Sequence, residues 1–389
     1  MATWTKQSLF KLGTVARGKS KHRPRNDASL YGGEFPFIQT SDIKHSNFYV
    51  TKHEQTYNEA GLKQSKLWPA NTLCITIAAN IAENAILSYP ACFPDSVIGF
   101  VADPKKSNVK FVKYALDHAK KNFQKTAKGT AQDNLSLNKI KTINLDSPEV
   151  REQNKIAGVL AAYDDLIENN EKRIKILEEM AQRLYTEWFV KFKFPGHEKV
   201  KIVDSGTGSS MIPEGWVEKK LGYLVQIKKG KNITKDTITE GDVPVVAGGL
   251  EPAYYHNQAN AYWPVITVSA SGANSGFINL YQHDIWASDC SYIDSSATPF
   301  VYFYYFFLKN KQKEITGLQR GSAQPHVYPK DLLQLSIIDY PELLMTNFEK
   351  KISKVFELVS KLKNDNKILS KTRDLLIPQL VTSKRELRK

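Results

Sequence analysis

The chain has 389 residues, enough for two or three domains, and its apolar (41%) and aromatic (11%) shares can fill their cores. Lys and Arg exceed Asp and Glu by 14, an excess that favours a polyanionic partner, nucleic acid first. Three scattered cysteines (Cys74, Cys92, Cys290) exclude a disulfide framework and the usual zinc spacings. The longest apolar run, FVYFYYFFL at 300–308, is too short to span a bilayer, and no apolar leader opens the chain. A cytoplasmic protein without membrane contact is expected.

The first 26 residues hold seven Lys or Arg and no acid. Within them GTVARGKS (13–20) fits the phosphate-loop pattern G-x-x-x-x-G-K-[ST]. That pattern binds phosphate only between a buried strand and a helix N-terminus. WTKQSLFKL upstream alternates poorly, and KHRPRNDASLYGG downstream, with Pro24 and two glycines, cannot form a long helix. Short β-rich runs such as TLCITIA (72–78) follow. Pro94-Asp95 with Asp103-Pro104-Lys105 can be forced into a nuclease pattern, but the gap is short and Pro104 breaks the strand that would carry the last pair. A helix is predicted near 108–124. No adenine-methyltransferase [DNS]-P-P-[FYW] motif or glycine-rich cofactor fingerprint occurs, so no active site is expected.

After Pro148 comes a long helix whose apolar residues keep heptad spacing. Ile156, Tyr163, Leu177 and Leu184 form one row, interrupted by Asn170; Leu160, Ile167, Ile174 and Trp188 form the other. The stretch 191–215 is rich in Gly, Ser and Pro and reads as a linker.

From there the chain repeats itself. Trp4, Leu9, Leu12 and Gly18 fall on Trp216, Leu221, Leu224 and Gly230 at a constant offset of 212. GTAQDNLSLNKIKTINL (129–145) falls on GSAQPHVYPKDLLQLSI (321–337) at an offset of 192, as FVKYAL does on FYYFFL. Around Ser288-Asp289 the second copy has no counterpart of the nuclease lysine. A second helix is predicted near 298–314. A second long helix follows Pro341, with rows Ile352, Val359, Leu380 and Val355, Leu362, Leu369, Leu376. Asn366 and Arg373 interrupt the first row, and Pro378 should kink or end the helix. Forty helical residues span about 60 Å, a spacer's length. If the two helices pair antiparallel, Asn170 and Asn366 come close, and a buried Asn pair would fix register.

The fold class is therefore α+β: two repeated mixed α/β domains (1–148 and 216–341), each followed by a long helix (149–190 and 342–385), the helices pairing as an antiparallel coiled coil. The repeat also tests the phosphate loop, because Gly18-Lys19 recurs as Gly230-Lys231 while Gly13 and Ser20 are replaced by Val225 and Asn232. The copies share a basic turn, which suits phosphate contacts on DNA. Lys19, Lys21, Arg23 and Arg25, with Lys228, Lys229 and Lys231, are the candidate backbone-contacting set. The repeated segments holding Thr130 and Ser322, with Lys128, Arg320 and His326 nearby, are either DNA-facing or structural turns.

The ordered set resembles the specificity subunit of type I restriction-modification systems over essentially the whole chain. The motifs are Gly129-Thr130-Ala131-Gln132 with Pro148-Glu149 and Glu152-Gln153, then Gly321-Ser322-Ala323-Gln324 with Pro341-Glu342. The second copy departs where Met345-Thr346-Asn347 replaces Glu152-Gln153-Asn154. The resemblance implies a non-catalytic subunit that binds two unlike half-sites of double-stranded DNA at a fixed gap. It implies docking of two methyltransferase (M) subunits, which methylate adenine, and then of restriction (R) subunits. S-adenosylmethionine, ATP and Mg would serve those partners, and this chain would need no cofactor or metal. A coiled-coil scaffold that binds no DNA, and a nucleotide-binding enzyme, remain the alternatives. Salt-independent partner binding would favour the former and ATP binding by the chain the latter.

Overall fold

The computed structural model describes residues 3–78, 81–127, 137–204, 211–320 and 325–382. Lys128, Thr130 and Ser322, with both Gly-Thr/Ser-Ala-Gln segments, lie outside them. The chain divides into two compact units, 1–169 with 365–389 and 170–364. The cut differs from the division into successive segments. It passes through both long helices, so each unit is one domain plus half of each helix.

The first unit is built on a five-stranded sheet in the order Gly13–Arg17, Val97–Ala102, Leu73–Thr76, Asn84–Leu87, Tyr49–Val50. Leu73–Thr76 and Asn84–Leu87 are buried throughout, as central strands covered on both faces must be. Thr5–Ser8 pairs antiparallel with Asn144–Ser147 and closes the domain at its two ends. The second unit repeats the plan. Its main sheet runs Lys228–Lys229, Cys290–Asp294, Val265–Ser269, Ile278–Tyr281, and Val217–Lys220 pairs with Ser336–Asp339. The sequence repeat is thus a repeat of topology, strand for strand, across the first four positions of each main sheet.

The predicted helices occur at Val109–Ala127 and at Val301–Asn310 with Gln312–Gly317. Their starts resolve the departure of the second copy. At the first, Asn108 Oδ1 accepts the Lys110 and Phe111 amides, and buried Gln153, from the long helix, accepts the Asn108 amide at 2.9 Å. The second start has Phe300 at the cap and no capping side chain of its own. Glu349, from the second long helix, takes the Tyr302 and Phe303 amides instead, at 2.9 and 3.1 Å. The cap that Gln153 gives the first copy, where the second has Thr346, comes from one turn further along. Burial pushes the Glu349 carboxyl up to about 7, although both amide bonds work against the shift.

The long helices are Val150–Tyr185, continued by a wider turn to Val190, and Glu342–Leu380, which runs through Pro378 and ends two residues later. Within the first unit, Ile156 and Leu160 share a core with Ile377 and Leu380. There Asp164 accepts from both Arg373 and Tyr114. Within the second unit, Ile174 and Leu177 pack with Val359 and Leu362, Glu178 pairs with Lys363 at 3.0 Å, and Tyr185 and Trp188 meet Phe348. Rising numbers on one helix meet falling numbers on the other, so the pairing is antiparallel in each unit. Tyr163, Leu184, Leu369 and Leu376 are half-buried, and Ile352 and Asn170 are buried.

The helices do more than pair. The end of the first, through Tyr185, Trp188 and Phe189, enters the core of the second unit beside Phe303 and Ile352. The tail of the second, through Ile377, Leu380 and Val381, enters the core of the first beside Leu9 and Phe111. Each long helix thus contributes apolar residues to the core of each unit.

Candidate nucleic-acid interface

The glycine-lysine turn has one geometry in both domains. In the first, the Gly18 amide donates to the Val97 carbonyl at 2.9 Å and the Lys19 amide to Phe93 at 3.1 Å. In the second, the Gly230 amide donates to Cys290 at 2.8 Å and the Lys231 amide to Ala287 at 2.9 Å. Glycine is required by close approach. A Cβ on Gly18 would lie 2.3 Å from the carbonyl oxygens of Phe93 and Pro94, and one on Gly230 would lie 2.1 Å from that of Ser288.

This disposes of the phosphate loop. The turn amides that would cradle a phosphate are bonded to the neighbouring strand connection. Ser20, which would hold a magnesium ion, is buried against the Tyr57 hydroxyl. No helix follows the loop; the next element is the three-residue turn Ala28–Leu30. The nuclease pattern fails as well. Asp95 and Asp103 sit beyond opposite ends of the strand Val97–Ala102, about 20 Å apart at about 3.3 Å per residue. Asp103 is bonded to the Lys105 amide and the Lys106 ammonium, which hold its carboxyl below the usual range. Among the described residues no group of three metal-ligating side chains gathers.

With the turns pinned, their cations project. Lys19, Lys21, Arg23 and Arg25 are exposed, as are Lys229 and Lys231. Lys228 belongs elsewhere, and the candidate set narrows accordingly. Its ammonium reaches inward to Asp294 at 3.1 Å and also to Ser296. Asp294 is 1% exposed. Burial raises its carboxyl, but the Ser296 hydroxyl, Lys228 and the Tyr262 amide outweigh that and hold it below the usual range. Lys228 therefore neutralises a buried acid, a role that a two-residue strand does not disclose in sequence.

Arg320 and His326 are brought together. Their backbones exchange hydrogen bonds at 3.0 and 2.9 Å. Arg320 pairs with buried Asp331 at 2.7 Å yet stays 65% exposed, so its guanidinium is anchored and still accessible. The His326 ring stacks on Tyr328. The same corner gathers the ends of other strands. Val327 and Gly272 bond to Ala270 and Pro325, and Ala270 bonds to Asp289. Lys231, the 270–276 loop, Asp289, Arg320 and His326 thus lie at one end of the second domain. Sequence reading missed Asp289 and Ser271 because it weighed the acid only as a nuclease ligand.

A family model described as the type I restriction modification DNA specificity domain matches residues 3–179 and 213–371. The chain is 25% identical to the type I restriction enzyme MjaIX specificity subunit of Methanocaldococcus jannaschii, over 97% of this chain and 92% of that protein. It is 21% identical to the HindI specificity subunit of Haemophilus influenzae, over 64% and 70% of the two chains. Among solved structures, the type I restriction-modification S subunit from M. genitalium superposes with a TM-score of 0.65 at 17% identity, covering 100% of this chain and 97% of that one.

Proposed function

The chain belongs to the family of type I restriction-modification DNA specificity subunits, and on that premise we propose that its two domains each grip one half of a split, asymmetric duplex target. The observation that carries this reading is the duplicated glycine-lysine turn. Twice the chain sacrifices a side chain at Gly18 and Gly230 to press a basic turn onto a strand connection, and twice the lysines beyond it project. Such cations position a duplex by its phosphates. Bases are read by neighbouring loops, which differ between the domains, so the half-sites differ. The paired helices separate the half-sites by a set gap.

The chain performs no chemistry on DNA and needs no cofactor in this reading. It directs adenine methylation by two methyltransferase subunits, and cleavage by restriction subunits, which bring S-adenosylmethionine, ATP and Mg. Their docking surface is the outer face of the long helices. Val159, Leu166, Ile176 and Met180 on the first, with Leu358, Ile368 and Leu375 on the second, are large apolar side chains left exposed, more than a solvated helix face requires. Among the described residues no helix is long and apolar enough to cross a membrane.

The test is the salt dependence of duplex binding by the chain with its methyltransferase partner. Lys19→Ala/Lys21→Ala and Lys229→Ala/Lys231→Ala should each flatten the slope of log K against log salt by about 0.9 for every phosphate no longer neutralised, without changing the preferred sequence. An unchanged slope in both pairs removes the turns from the interface.

A further inference from the structure

The connections that clamp the two turns each carry one acid, and the two acids are held in opposite ways. In the first domain the connection runs from Phe93 to Val97 and holds Asp95. Arg25 Nη2 donates to Asp95 at 2.5 Å, and Arg23 lies 3.8 Å from its other oxygen. That carboxylate is occupied in orienting guanidinium groups, and what the corner offers outward is hydrogen-bond donors. In the second domain the connection runs from Ala287 to Cys290, one residue shorter, and holds Asp289. Its carboxylate accepts from the Ser271 hydroxyl. Among the described residues no cation pairs with it, and it has no other side-chain hydrogen bond there.

Asp289 is half-buried, with Gly248 close beside its carboxylate and Lys231 on the turn packed against the same connection. On a face that takes phosphates, an uncompensated carboxylate is repelled by the backbone of the duplex. It is accommodated where it meets a donor, and the donors a duplex presents in its major groove are the exocyclic amino groups of cytosine (N4) and adenine (N6). We infer that Asp289, its carboxylate held by Ser271, is a specificity-determining residue of the second half-site that accepts a hydrogen bond from such an amino group. The inference rests on the proposed reading of DNA by the two domains. It gives the half-sites opposite polarity at corresponding corners, with arginine donors in the first and a carboxylate acceptor in the second.

The experiment selects bound duplexes from a random pool with the full chain in complex with its methyltransferase partner. It compares wild type with Asp289→Ala, Asp289→Asn and Arg25→Ala. Arg25→Ala is the first-domain control: a lost backbone contact there should weaken binding without altering either half-site. Wild type should require cytosine or adenine at one position of one half-site, and the base recovered there says which amino group is read. Asp289→Ala should lower discrimination at that position by about 10- to 100-fold, leaving the other half-site and the gap intact. Asp289→Asn, which keeps the shape, should favour adenine there, because an amide pairs with adenine through two bonds. The inference is overturned if both Asp289 variants keep the wild-type preference at every position, or change binding to all duplexes equally. If wild type itself selects no split target, the underlying reading fails before any variant is scored.

Discussion

Replacing Glu349 with glutamine should remove a pH-dependent weakness from the second unit. Glu349 caps the helix Val301–Asn310 from a neighbouring helix, and its carboxyl is raised from an ordinary 4.5 to about 7, chiefly by burial. A carboxyl raised on folding binds its proton more tightly in the native than in the unfolded state. Its stabilising effect is therefore full below pH 4.5 and falls as pH rises towards 7, beyond which no more is lost. At about 1.4 kcal/mol per pH unit, the loss across that window is about 3 kcal/mol. Glu349→Gln keeps one amide acceptor, forfeits the second bond at a cost of about 1 kcal/mol, and never ionises. The variant should thus be slightly less stable than wild type at pH 4.5 and about 2 kcal/mol more stable at pH 8. Denaturant titration of both proteins at half-unit pH steps measures this, and the difference between them cancels every other titrating group. A difference that does not change with pH would refute the buried, uncompensated carboxylate. The first unit supplies the contrast, since Gln153 does the corresponding work without a charge.

Three further outcomes follow from the packing. Gly230→Ala must displace the Ser288 carbonyl, which should cost about 1–3 kcal/mol and lower the melting temperature; a variant as stable as wild type would show that the turn is not pinned. Arg373→Ala leaves Asp164 buried without its cation and should cost about 3 kcal/mol near pH 8. The loss should shrink in acid, because burial already raises the Asp164 carboxyl and protonation relieves the stranded charge; equal losses at pH 5 and pH 8 would contradict this. Lys228→Ala should destabilise the second unit by about 3 kcal/mol while leaving the salt slope of DNA binding alone, and the opposite pattern would restore Lys228 to the interface.

The parts legible in sequence were those set by chain-local pattern. Heptad rows gave the long helices, and the constant offsets gave the second domain and matched Gly18 with Gly230. The parts that escaped depend on residues meeting across the fold. Glu349 stands in for the cap that Gln153 makes in the first copy and Thr346 does not make in the second, a substitution invisible until the two helix starts are compared in space. Lys228 and Lys229 read alike as a basic pair, but adjacent strand residues face opposite ways, and one found Asp294. The entry of Trp188 and Leu380 into the domain cores was hidden because both also fit a heptad row. Asp289 could have been noticed from the repeat, as an acid recurring beside a basic turn with no arginines to pair it.

That two domains read two sequences, with the helices setting the distance between them, is met head-on by selecting duplexes from a random pool at moderate salt with the chain and its methyltransferase partner. Two unlike short half-sites separated by one fixed gap are expected. Recovery of duplexes with no sequence preference, or of half-sites at variable spacing, would contradict that division of labour.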